Sequence, residues 1–241
     1  MSGLKSSAAL TPRHPGFVRI THWLTTIAFL ALLLSGVELV LSHPRFYWGE
    51  VGNVNTAPLF TIPVPSSRSS VPTGYRFVLP DQNGWSRYLH FQAAWLVLFT
   101  GGAYVLAGVR TGHFRRNLVP AAADRSWRAL RSSMADHRRL AASAFGDPGS
   151  YNALQRLSYL IVVFVLFPLV IWTGLAMAPG FTAVVPASVT LLGGRQSART
   201  LHFLVTIALV LFTFVHVTMI ILAGFRGRVR AMITGTTEVH Q

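Results

Sequence analysis

Residues 199–216 read RTLHFLVTIALVLFTFVH, and this stretch decides the fold. From Thr200 the apolar run continues to Phe225, longer than the roughly 20 residues a helix needs to cross a hydrocarbon core. No charged residue stands between His202 and His216. An ionisable side chain inside a span is costly to place, so both histidines are functional candidates. They are fourteen residues apart. At 3.6 residues per turn that is nearly four whole turns, which puts both on one face of the helix, about 20 Å from each other.

Three further segments share this character: Ile20 to Leu41, interrupted only by Glu38, Tyr88 to Val109, and Leu157 to Ala178. All four are apolar all round, as suits helices that meet lipid on one side and other helices on the other. Pro168 should kink the third. The whole chain agrees, with 51% hydrophobic and 12% charged residues among 241 and a mean hydropathy of +0.47. Such a composition excludes an ordinary soluble enzyme and a disordered chain alike. The expected fold is an all-α membrane protein, a four-transmembrane-helix bundle forming one integral-membrane domain over residues 1–241. With no cysteine, disulfides, thiolate zinc sites, iron-sulfur clusters and c-type haem attachment are all excluded.

The formal charge of +14 invites a nucleic-acid reading, but its distribution is that of membrane topology. Lys5, Arg13 and Arg19, nine arginines from Arg110 to Arg156, and Arg226, Arg228 and Arg230 put 15 basic residues on one side. Arg45, Arg68, Arg76, Arg87, Arg195 and Arg199 put 6 on the other. The positive-inside rule then sets both termini in the cytoplasm, with the chain in contact with lipid and not with nucleic acid. The first span is too long for a signal peptide, and Ser42-His43-Pro44 is no small-residue cleavage site, so it is expected to be retained.

Two connections are more than turns. Residues 42–87, on the outer side, mix Pro44, Pro58, Pro63, Pro65, Pro72 and Pro80 with Phe46, Tyr47, Trp48, Phe60 and Tyr75, which reads as an ordered cap able to seat a partner. On the cytoplasmic side Trp127, Leu130, Met134 and Leu140 alternate with Arg125, Arg128, Arg131, Arg138 and Arg139, the pattern of a basic amphipathic helix on anionic headgroups. No internal repeat is evident.

Four histidines fall inside spans: His22, His90, His202 and His216. The other five, His14, His43, His113, His137 and His240, lie in connections or tails, where a solvated imidazole is the ordinary outcome. Because the spans alternate in direction, His22 and His216 share a depth near the cytoplasmic side, and His90 and His202 share one near the outer side. Two imidazoles at one depth in an apolar bundle supply what a bis-histidine haem requires: two neutral nitrogen ligands and an apolar slot for the macrocycle. Gly36, Gly101, Gly102 and Gly174 offer room for it, though small residues also serve plain helix packing. Arg19 or Arg226 inside, and Arg87 or Arg199 outside, could meet propionates or simply anchor the interface. Zinc is a weaker reading, because such sites recruit carboxylates or further ligands and Glu38 is the only acid in any span.

These residues resemble the cytochrome b561 superfamily, specifically the di-haem cytochrome b subunits that anchor formate dehydrogenases, nickel-iron hydrogenases and thiosulfate-reductase-like molybdoenzymes. The resemblance covers nearly the whole chain. It rests on Arg19-Ile20-Thr21-His22-Trp23 and Leu34-Ser35-Gly36, on Arg87-Tyr88-Leu89-His90, on Trp172-Thr173-Gly174-Leu175-Ala176-Met177, and on Arg199-Thr200-Leu201-His202 with His216. It implies two haem b groups, one ligated by His22 and His216 on the cytoplasmic side and one by His90 and His202 on the periplasmic side, in a bacterial inner membrane. It implies exchange of electrons with the quinone pool, at a site near the cytoplasmic haem, and with a periplasmic redox protein, either a molybdopterin oxidoreductase or a c-type cytochrome. The chain would then be an electron-transfer subunit of an oxidoreductase complex, with no catalytic side chain of its own. It departs from larger hydrogenase-type members in having four spans. Two alternatives stay open: a free-standing quinone reductase of the superoxide-oxidising kind, and a haem-free anchor or transporter whose histidines relay protons or bind an ion.

Overall fold

A computed structural model describes residues 14–53, 55–63, 82–119 and 153–235, together with residues 128, 131, 132 and 135. The basic amphipathic helix expected around Trp127 to Leu140 lies almost wholly outside the described residues, as do Pro65, Arg68, Pro72, Tyr75, Arg76 and Pro80 of the cap. In chain order the elements are α1 (Gly16–Ser42), β1 (Arg45–Phe46), β2 (Phe60–Thr61), α2 (Gln82–Arg110), a π-helical turn (Phe114–Leu118), α3 (Ala153–Ile161), a second π-helical turn (Val162–Leu166) and α4 (Phe167–Met177). The short helices α5 (Pro179–Val184) and α6 (Ala187–Thr190), the long α7 (Arg195–Leu222) and α8 (Phe225–Thr234) follow. Among the described residues four helical stretches are long and apolar enough to cross a membrane, Gly16–Ser42, Gly84–Arg110, Leu154–Met177 and Arg195–Leu222. The protein is thus all-α and multi-pass, as the sequence indicates.

The spans are ordered inside out relative to a soluble helix. Along α1 the buried positions are Ala28, Ser35 and Ser42, while Ile20, Ile27, Leu30, Leu34 and Val37 are exposed. Along α7 the exposed positions Leu204, Ile207, Leu211 and Phe214 recur every three to four residues, the spacing of one helical face. Small residues bring backbones together and large apolar ones are left for lipid, which is how helices pack when burial of apolar surface alone gains nothing. Two buried hydroxyls close onto their own helices: Thr100 Oγ1 donates to the Leu96 carbonyl at 2.7 Å and Ser35 Oγ to that of Ala31 at 2.7 Å, which spares both an unbonded polar group in an apolar setting.

In the third span the irregularity expected at Pro168 takes the form of the π-helical turn Val162–Leu166. Proline has no N–H to offer the Phe164 carbonyl and its ring crowds that carbonyl, so the ladder widens just before it.

Span ends differ from those expected because they are set by contacts distant in sequence. The fourth helix begins at Arg195 rather than Thr200. Its first N–H groups are taken by the cap: the Gly49 carbonyl accepts from the Gln196 and Ser197 amides at 3.0 and 3.2 Å, and Glu50 Oε2 from the Arg195 amide at 3.0 Å. A carboxylate there also suits the positive end of the helix dipole. The Gly49 amide in turn donates to Ser197 Oγ at 2.7 Å. Gly194, at φ +110°, makes this approach possible, since a Cβ on it would stand 2.5 Å from the Gly49 carbonyl group. At the other end α7 stops at Leu222, not Phe225, because Gly224 at φ +96° turns the chain into α8.

The described part of the connection between α1 and α2 holds β1 and β2, and α2 already begins at Gln82. β1 and β2 pair antiparallel, with Phe46 opposite Phe60. Phe46 stacks on Phe60 at 4.8 Å between centroids and meets Phe203 of α7 at 4.5 Å. The Tyr47 carbonyl accepts from Thr200 Oγ1 at 2.6 Å.

Candidate functional site

The chain gathers into two compact units, one comprising Leu24–Gly102 and Ser158–Phe212, the other Met1–Trp23, Ala103–Leu157 and Thr213–Gln241. Each contains one histidine pair.

In the first unit the rings of His90 on α2 and His202 on α7 face each other with centroids 6.2 Å apart. Each is held from behind by a neighbouring span. Ser35 Oγ of α1 lies 3.0 Å from His90 Nδ1, and Thr173 Oγ1 of α4 lies 3.0 Å from His202 Nδ1. The next residue in each case is a glycine against the imidazole: a Cβ on Gly36 would meet His90 Cε1 at 3.6 Å, and one on Gly174 would meet His202 Cε1 at 3.3 Å. His202 Nδ1 also lies 3.0 Å from the Val170 carbonyl. A carbonyl only accepts, so in the neutral ring Nδ1 carries the hydrogen and Nε2 keeps its lone pair for a metal.

In the second unit the rings of His22 on α1 and His216 on α7 lie 6.5 Å apart. Trp23 stands edge-on to His22 at 5.2 Å, and its Nε1 donates to the Met232 carbonyl of α8 at 3.2 Å. Arg19 Nη1 donates to the Ile233 carbonyl at 2.7 Å.

The donor sets fit a haem iron on each pair. Metal–imidazole bonds of about 2 Å on opposite sides of one ion would hold two ring centroids about 6 Å apart, the separation found in both. Among the described residues no group of three or more His, Cys, Asp and Glu comes together.

The remaining site candidates divide. Gly36 and Gly174 adjoin the histidines, but no atom outside its own helix lies within 4 Å of where a Cβ on Gly101 or Gly102 would sit. Arg87 is exposed. The Arg199 guanidinium lies 4.9 Å over the Phe46 ring and donates to the His43 carbonyl, while Arg19 reaches α8, so both have protein partners. His113, expected to be solvated, is buried instead. Phe17 packs edge-on at 5.5 Å and Tyr104 at 6.3 Å, and Asn117 Nδ2 lies 2.9 Å from its Nδ1. Burial, and then the Arg116 guanidinium, hold its pKa below the ordinary histidine range.

Ser35 and Thr173 are the residues that sequence reasoning passed over. Their signal was a recurring pair of short motifs, too brief to count as an internal repeat: a hydroxyl–glycine pair on one span, Ser35-Gly36 or Thr173-Gly174, set against an Arg-x-Leu-His box opening another, Arg87 to His90 or Arg199 to His202.

The prokaryotic cytochrome b561 family model matches residues 13–235. A candidate protein-methionine-sulfoxide reductase subunit, YedZ1, from Azospira oryzae is 31% identical over 214 residues, covering 87% of this chain and 90% of that protein. No solved structure matches the chain significantly. Four apolar spans, two pairs of facing intramembrane histidines and a match running almost end to end make this chain a member of the prokaryotic cytochrome b561 family, a multi-pass membrane protein of b-type haem and transmembrane electron transfer.

Proposed function

We propose that the chain carries electrons through two b-type haems between the quinone pool of a bacterial inner membrane and a redox partner on the periplasmic side, with both termini cytoplasmic. His22 and His216 would hold one haem and His90 and His202 the other. The observation that carries this reading is the facing of those rings at 6.5 and 6.2 Å, with hydrogen-bonded Nδ1 atoms leaving Nε2 to ligate in the second pair. Bound there, haem iron supplies a one-electron ferric/ferrous couple. The protein's part is to present neutral nitrogens, exclude water and fix the rings. A quinol yields two electrons and two protons, so single-electron carriers must act in succession. The 15-to-6 division of basic residues supports the orientation. The sequence-level likeness to molybdoenzyme anchors, and a relative named for an oxidoreductase subunit, support a dedicated partner, with a molybdopterin oxidoreductase as the first choice and a c-type cytochrome as the second.

The test is quinol-driven reduction of the purified protein in liposomes, followed by its reoxidation on adding the copurifying soluble partner. Reduction of both haems by quinol is expected. Full quinone-linked turnover with no partner would instead favour a free-standing reductase, and a colourless protein after expression with ample haem would favour a haem-free transporter.

A further inference from the structure

We infer that Ser35 and Thr173 are positioning residues that set the redox equilibrium of the centre between His90 and His202. The inference rests on the proposed ligation and deepens it. Each hydroxyl's own hydrogen is committed to its helix: Ser35 Oγ lies 2.7 Å from the Ala31 carbonyl and 3.2 Å from that of Leu32, and Thr173 Oγ1 lies 2.8 Å from Leu169 and 3.1 Å from Val170. Those carbonyls cannot donate. The oxygen therefore turns its lone pairs to the histidine, and the 3.0 Å contacts run from Nδ1–H to the hydroxyl. On the His202 side the Val170 carbonyl, three residues before Thr173, adds a second acceptor at 3.0 Å. The hydroxyl contact thus appears twice, on two different spans.

Hydrogen bonds accepted from the distal ring nitrogen make the ligating nitrogen more basic. A more basic ligand favours the ferric over the ferrous ion. The hydroxyls, being buried at 0% exposure in both residues, act in a low dielectric, where such a contact is strong. The adjoining glycines let each imidazole come close enough to make it. Because the Val170 carbonyl remains when the Thr173 hydroxyl is removed, the His202 tautomer and its ligation should survive and only the donor strength should change.

The test is an optical redox titration of the purified haem-loaded protein, with haem content measured in parallel, on Thr173→Val, Thr173→Ser, Ser35→Ala and Ser35→Thr. Thr173→Val and Ser35→Ala should each move one haem's reduction equilibrium three- to tenfold toward the ferrous form, about 30–59 mV. The hydroxyl-keeping variants should stay within twofold of the parent, and the other haem should not move. Loss of haem from Thr173→Val would show that the hydroxyl holds the ligand and does not merely tune it, and would overturn the inference. Unchanged equilibria in both hydroxyl-less variants, equal shifts of both haems, or Thr173→Ser failing as Thr173→Val does would overturn the inference. A wild-type protein without haem would instead sink the ligation proposal itself.

Discussion

Two glycine substitutions that look alike in sequence should behave differently. Gly36→Ala and Gly174→Ala both place a methyl against an imidazole, and both replace glycine in a helix interior, which by itself stabilises by about 0.5–1 kcal/mol. On Gly36 the new Cβ would stand 3.6 Å from His90 Cε1 and 3.9 Å from Nδ1, ordinary van der Waals contact. On Gly174 it would stand 3.3 Å from His202 Cε1, so the ring must yield by a few tenths of an ångström. It has little freedom to do so, because Thr173 Oγ1 and the Val170 carbonyl hold Nδ1 at 3.0 Å each. Gly36→Ala should therefore leave the reduced-minus-oxidised spectrum intact and melt at or slightly above the parent temperature. Gly174→Ala should lose the propensity gain to strain, of order 1 kcal/mol, and broaden or shift the signal of one haem only. Gly174→Val, with two more methyls, should abolish that signal. The assay is the low-temperature difference spectrum together with a melt in detergent. Equal perturbation by Gly36→Ala and Gly174→Ala, or a Gly174→Val protein with both signals intact, would refute the packing argument.

Other consequences are as direct. Gly194→Ala sets a Cβ 2.5 Å from the Gly49 carbonyl group at φ +110°; strain and loss of the α7 cap should cost about 2–4 kcal/mol, read as a lower melting temperature, and a parent-like melt would contradict the capping account. The pKa of His113 is held low by burial and by Arg116, so between its folded value and about pH 6.5 the unfolded chain binds the extra proton and stability rises with pH. His113→Gln should accordingly reduce the fall in melting temperature as the pH drops below about 6.5, and an unchanged pH slope would show that His113 does not carry it.

The four spans and the two histidine pairs were legible in the sequence because both follow from counting along the chain. Apolar length marks a span, and alternating direction converts residue number into depth, so His22 could be matched to His216 without coordinates. Helix ends were not legible. Arg195 opens α7 only because Gly49 and Glu50, distant in sequence, accept its first amides. His113 was misjudged for a similar reason: its position after Arg110 suggests solvent, but Phe17 and Tyr104 arrive from elsewhere and enclose it. For Arg199 the sequence offered propionate contact or an interfacial anchor, and its visible partners are Phe46 and the His43 carbonyl. Ser35 and Thr173 could have been found, had the hydroxyl preceding each glycine been weighed along with the glycine itself.

The pairing of ligands is tested most directly by haem stoichiometry in single variants, which needs neither a partner nor a quinone. The purified parent should hold two b-type haems per chain. His22→Ala and His216→Ala should each leave one, and the same one. His90→Ala and His202→Ala should each leave the other, distinguishable by potential or spectrum. A parent with a single haem, or a His22→Ala protein whose residual haem matches that of His90→Ala, would contradict it.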